Sequence, residues 1–162
     1  MSIQSWFNSI MPGASLLPNN VVVFDDIRND IHAVCWSLDK WRQLRKDCMD
    51  KHNLQIEIDE NWPIVIYEND DYFVVNANSC PLCYRYLDGC KYPCEMCPLK
   101  QKLGSSCDDY NAPFDLYFDT GDPTEMIEAL ECVYFTLLND WEVYSIYGAV
   151  AQEENTYYQV AS

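Results

Sequence analysis

Five glycines, all far apart, are all that 162 residues contain. A phosphate cradle built from a glycine-rich loop therefore has no place in this chain. Histidine is rarer still: His32 and His52 are the whole complement, and neither stands in a pattern with a Ser or Cys nucleophile, which leaves no motif for nucleophilic or hydrolytic zinc catalysis. No stretch reaches the ~18 to 20 apolar residues of a membrane helix. The opening MSIQSWFNSIMPGASLLPNN lacks a basic segment followed by a long apolar one, so a soluble, intracellular protein is expected. Basic residues are absent after Lys102, although twelve Asp and Glu follow it.

Hydrophobic residues make up 49% of the chain and include twelve Tyr, six Phe and five Trp, enough for a packed core in one domain spanning residues 1–162. Residues 1–20, interrupted by Pro12, Gly13 and Pro18, read as an irregular N-terminal arm. Val21 to Phe24 read as a short buried strand. Ile27, Ile31, Val34, Leu38 and Trp41 then recur at helical spacing, with Asp25 or Asp26 as N-cap and a break near Ser37. The second part of that helix carries Lys40, Arg42, Arg45, Lys46 and Lys51, interleaved with acids, as a solvated face. LQIEID alternates with period two, and WPIVIYENDDYFVVN reads as a hairpin. A second helix opens at Asp122 with Pro123 at its first position, and Met126, Leu130, Val133, Leu137 and Trp141 form its apolar stripe. The expected class is α+β: a small antiparallel sheet, two main helices and a metal-closed cysteine-rich loop.

Six of the nine cysteines lie between residues 80 and 107. Cys80-Pro-Leu-Cys83 and Cys94-Glu-Met-Cys97 are two C-x2-C turns, the spacing at which a tight backbone knuckle aims two sulfurs at one metal. A zinc-knuckle-like insertion over 80–107 is expected, with structural zinc on Cys80, Cys83, Cys94 and Cys97 and with Cys90 and Cys107 as alternates. Arg85, Lys91, Lys100 and Lys102 stand near enough in sequence to offset the charge of four thiolates. Disulfides and an iron–sulfur cluster are the competing chemistries, the latter because Pro98 follows Cys97. An all-cysteine site is saturated, so a structural metal and no enzymatic activity are expected. Cys35, Cys48 and Cys132 read as small buried hydrophobes.

Charge is segregated: −4 over residues 1–102 and −12 over the last sixty. Such a surface repels nucleic acid and anionic membrane and attracts basic protein surfaces. Asp108, Asp109, Asp115, Asp119, Glu125, Glu128 and Glu131 are the candidate contacts, the three glutamates forming a ridge on one side of the second helix.

The order Cys80, Cys83, Tyr84, Tyr86, Cys94, Cys97, Pro98, Leu99, Gly104, Cys107, Pro113 and Phe114 resembles a group of small uncharacterised bacteriophage proteins with a CxxC…CxxCPL…GxxC motif. The resemblance covers roughly residues 37–131. Cys90 and the segment carrying the hairpin depart from the shorter members. It implies a phage origin, action in the host bacterial cytoplasm and a role as an inhibitor. The expected partner is a host protein with a basic surface, a defence or nucleic-acid-processing factor, blocked by DNA mimicry. The competing expectation is a zinc-knuckle module that contacts nucleic acid or regulates transcription through Lys91, Tyr92, Lys100 and Lys102.

Overall fold

The structure is a computed structural model, which describes residues 2–11, 13–17, 21–24, 27, 29–58, 62–67, 71–76, 79–87 and 97–147, without the side chains of 86, 87 and 141–147. Within these residues the chain is α+β. Helix α1 (Ile3–Ile10) leads into strands β1 (Ala14–Leu17) and β2 (Val21–Phe24), followed by α2 (Asp30–Gln43) and α3 (Lys46–Lys51). Strands β3 (Gln55–Ile58), β4 (Pro63–Tyr67) and β5 (Asp71–Val74) come next. Four helices complete the order: α4 (Pro81–Leu87), α5 (Pro98–Leu103), α6 (Pro113–Thr120) and α7 (Thr124–Tyr147).

The expected irregular arm is instead structured. Ser2 and Ser5 form a reciprocal cap at the start of α1, the Ile3 N–H donates to Asp71 Oδ2 at 2.9 Å, and Ile3, Trp6 and Phe7 are buried. Their 3–4 residue spacing is a helix signal that the flanking prolines concealed. Phe7 and Trp6 meet Phe73 of β5 at ring separations of 4.9 and 6.2 Å. Downstream, β1 pairs antiparallel with β2 from Ala14↔Phe24 to Leu17↔Val21. The strand over Val21 to Phe24 is present as expected, but only Phe24 is buried, and Val21 and Val23 face outward.

Gly13 is the one residue of the α1–β1 turn whose size is dictated by a neighbour. A Cβ there would overlap the indole of Trp36 on α2, so the absence of a side chain lets the turn lie flat on that ring.

Helix α2 forms the floor of the molecule. Asn29 caps it by accepting from the His32 N–H at 2.8 Å; Asp25 and Asp26, expected in that role, lie outside the described residues. The helix runs unbroken through Ser37 to Gln43, because Ser37 is itself buried inside its packed face. Leu44 and Arg45 make the actual interruption before α3.

The sheet β3-β4-β5 is an antiparallel meander with Ile56↔Val65↔Phe73 in register, as the alternating sequence predicts. Helix α7 lies along α2, and α5 and α6 pack on α7. At its start Asp122 Oδ1 accepts from the Thr124 N–H at 3.0 Å and the Thr124 hydroxyl at 2.6 Å. Met126, Leu130 and Val133 are buried as the stripe requires, Leu137 is half-buried, and the Trp141 side chain lies outside the described residues. No described helix is long and apolar enough to cross a membrane.

Replacing Gly13 by Ala should destabilise the fold by about 1 to 3 kcal/mol through overpacking against Trp36. The denaturant midpoint measures it, and an unchanged midpoint would remove the indole contact from this description.

Candidate metal centre

The tripeptide Cys-Pro-Leu occurs at 80–82 and again at 97–99, and both copies do the same thing. Each proline occupies the first turn of a short helix, where its missing N–H costs nothing. Each cysteine carbonyl accepts the first helical bond, from Tyr84 N at 3.0 Å and from Gln101 N at 3.1 Å. Each leucine is buried, Leu82 and Leu99 anchoring α4 and α5 to the core. The cysteine side chains at the two helix starts are thereby directed to one place. Cys83 follows in the first turn of α4. Cys107 arrives from the loop after α5, which Gly104 starts in the left-handed conformation (φ 74°) and which the Phe114 N–H fixes by donating to the Cys107 carbonyl at 2.8 Å.

Cys80, Cys83, Cys97 and Cys107 accordingly line one cavity of about 30 Å³, with Leu82, Leu99, Lys100 and Ser106 completing the wall. All four are half-buried and none is in a disulfide. Cys94 and Cys90 lie outside the described residues, as do Lys91 and Tyr92. Of the sequence-derived ligand set, Cys80, Cys83 and Cys97 therefore come together, and they are joined by Cys107, which was expected only as an alternate. Among the described residues, no group of three or more His, Cys, Asp or Glu side chains is placed so that it could hold a metal ion.

The chemistry of these thiols is nevertheless far from that of ordinary buried cysteines. Hydrogen bonding from the Cys83 thiol, the Lys40 ammonium and the backbone N–H groups of Cys83 and Leu82 outweigh burial and hold Cys80 down to about 5. Cys83 is pushed up, first because its proton is shared with Cys80 and then by the charges of Cys80, Cys107 and Cys97. The two sulfurs are thus drawn apart, Cys80 toward the thiolate and Cys83 toward the thiol. By contrast Cys35 is raised to about 11 by burial and by Asp39, the behaviour of an inert structural thiol. Cys132, expected inside, is exposed, because it lies on the outer side of α7.

Lys40 is the functional residue that sequence reasoning missed. Taken as part of a solvated basic face, it is 1% exposed. Its Nζ donates to the Ser79 carbonyl at 3.1 Å and stands 4.9 Å from the Trp41 ring centroid. Burial lowers its pKa, and negative charge on Cys80, Cys83 and Cys107 offsets only part of that lowering. A buried ammonium is held charged only opposite negative charge, which here comes from the Cys80 side, where the sulfur is drawn toward thiolate.

Two more residues of the basic face are paired elsewhere. Arg42 reaches Glu131 at 3.8 Å and Lys46 reaches Asp50 at 3.1 Å. Arg85, expected near the thiols as a counter-charge, instead clamps α4 to the start of α2 through Asp30 Oδ1 at 2.8 Å and the Ile27 carbonyl at 3.1 Å. Lys40 and Lys100 hold positions next to the thiols; Lys102 is exposed.

No protein-family model matches the chain, and no curated protein and no solved structure is significantly similar to it. The site must be read from its own chemistry.

The seven acidic candidates divide by surroundings. Asp109 Oδ2 accepts from the Ser106 N–H and Asp115 Oδ2 from the Asn111 N–H, both at 2.9 Å, so these two brace the loop and the start of α6. Glu131 is drawn to Arg42. Asp108, Asp119, Glu125 and Glu128 are exposed, which shortens the expected three-glutamate ridge to its first two members.

In metal-free, reduced protein, stability should rise between pH 5 and 9, because the folded Cys80 has lost a proton that the unfolded chain still holds there. Lys40→Met should move the Cys80 titration upward from about 5 and flatten that rise. Thiolate absorbance and denaturant melts across pH read both effects; a Cys80 titration indifferent to Lys40 would show that the ammonium does not face the sulfur.

Proposed function

We propose that the protein is a zinc-stabilised, phage-type interaction protein that binds and blocks a basic host protein through its acidic C-terminal third. In this reading Cys80, Cys83, Cys97 and Cys107 hold a structural zinc ion. Several features of the cavity fit a tetrathiolate. Four sulfurs share it, backbone N–H groups are already directed at Cys80, and a buried ammonium offsets part of the double negative charge, as sulfur-bound metals require of their surroundings. Zinc would tie α4 to α5 and contribute its binding energy to folding. The metal is saturated by thiolates and has a structural role.

The observation that carries the inhibitory reading is the segregation of charge. After Lys102 no basic residue interrupts twelve acids, and Asp108, Asp119, Glu125 and Glu128 present theirs to solvent from the loop, α6 and α7. A rigid acidic surface attracts partners that normally bind phosphate, at rates that fall steeply with salt. Direct binding of nucleic acid is disfavoured by that same charge. The basic face that would carry it is also depleted by the burial of Lys40 and by the Arg42 and Lys46 ion pairs.

Zinc uptake at pH 7 should release fewer protons than the four of a fully protonated thiol set, since the Cys80 pKa is held down. Calorimetry in buffers of different ionisation enthalpy counts them. Cys80→Ser, Cys97→Ser and Cys107→Ser should each lose the metal, whereas Cys94→Ser should keep it; the reverse result for Cys94 and Cys107 would transfer the fourth ligand to Cys94.

For the partner, tagged protein is used to capture bacterial proteins in steps of increasing salt. A specific basic protein that elutes early and is lost with the quadruple Lys variant of Asp108, Asp119, Glu125 and Glu128 is the expected result. Retention by that variant would contradict an acidic interface, and recovery of nucleic acid alone would overturn the inhibitory reading.

A further inference from the structure

A second cavity, of about 110 Å³, adjoins the thiols. Cys80, Leu82, Cys83, Leu99 and Cys107 line both spaces. The rest of its wall is mostly hydrocarbon: Trp41 of α2, Trp62 ahead of β4, Phe114 of α6, and Met126 and Leu130 of α7. Phe114 meets Trp41 at 6.2 Å and 85° and Trp62 at 6.5 Å and 62°. These edge-to-face contacts hold the three rings as a frame around the space. Trp62 and Asp108 are exposed, so the cavity reaches solvent on that side.

Its volume approaches that of apolar cavities that accept a benzene-sized guest. Unlike those, it contains a polar group with nothing to bond. Ser37 is 1% exposed, lines the cavity, and its buried Oγ has no hydrogen-bond partner. An unmet hydroxyl in an apolar space costs free energy that a guest with one polar atom would recover. Formal charge on the guest is disfavoured from both directions. A cation would face the buried Lys40 ammonium, which also lines the space, and an anion would pass Asp108 and meet the thiol side.

We propose that this cavity binds a small uncharged aromatic molecule bearing one hydroxyl or carbonyl oxygen, its ring framed by Trp41, Trp62 and Phe114 and its oxygen on Ser37. Such a site shares Asp108 with the acidic surface but takes an uncharged guest and does not depend on that surface. Because the guest would press on α2, α6 and α7 together, its binding would stabilise the packing on which the thiol cavity also rests.

Phenol and toluene serve as probes, one with the oxygen and one without. Each is titrated into reduced, zinc-loaded, full-length protein and followed by the Met126 methyl resonance and by tryptophan fluorescence. Phenol should bind saturably in the sub-millimolar range and about fivefold more tightly than toluene. Ser37→Ala should weaken phenol to the level of toluene and leave toluene unchanged. Met126→Trp, which fills the space, should abolish both; if that variant does not fold, the phenol-to-toluene ratio in Ser37→Ala still decides. No saturable response to either probe, or equal phenol affinity in wild type and Ser37→Ala, would overturn the proposal.

Discussion

An ammonium group inside a protein must find anions or give up its proton, and Lys40 finds thiols. Its four-carbon stem passes through the core beside Trp41, its head is held by the Ser79 carbonyl, and its charge falls on Cys80, Cys83 and Cys107. Those sulfurs come from the start of α4 and from the loop after α5, where Pro81, Leu82, Pro98 and Leu99 are the buried apolar residues. Electrostatics thus adds to the apolar anchoring of this region. Removing either side of the pairing leaves the other as an uncompensated group in a low-dielectric interior.

This explains why the buried lysine sits where it does in the sequence. Ala33, Ser37, Lys40 and Leu44 are spaced four, three and four apart, and all are buried, so Lys40 occupies a place in an apolar helical stripe. The periodicity was visible, but the residue type pointed to solvent. Similar conflicts hid α1, whose Ile3, Trp6 and Phe7 lie close to prolines, and Cys107, whose role depends on a loop that Gly104 turns. Elements defined by local pattern were legible: α2, the β3-β4-β5 meander and α7 follow from period and capping. What depended on distant pairings was not. Neither the Arg85–Asp30 clamp nor the Glu131–Arg42 contact has a signal in local sequence. The repeated Cys-Pro-Leu at 80 and 97 was a readable clue to which sulfurs converge, beside the C-x2-C spacing that had already singled out Cys80, Cys83 and Cys97.

The acidic third and the cysteine cluster serve one purpose in this account. An electrostatic interface needs charges fixed at constant spacing, since mobile acids lose their mutual geometry to conformational entropy. Asp109 and Asp115 spend their carboxylates on backbone N–H groups in the loop leading to α6, and that loop passes through Cys107. The acids that remain exposed, Asp108 and Asp119 among them, stand on a segment whose start is held at the thiol cavity. Thiol cavity, loop and acidic surface are therefore mechanically continuous.

The central claim is that the thiols around Lys40 form a metal site, and X-ray absorption at the zinc edge of protein purified under reducing conditions tests it most directly. The account predicts one zinc per chain with about four sulfur neighbours near 2.3 Å and no lighter atom in the first shell. A first shell containing nitrogen or oxygen, or reduced protein whose unfolding midpoint is unmoved by added zinc, would contradict it.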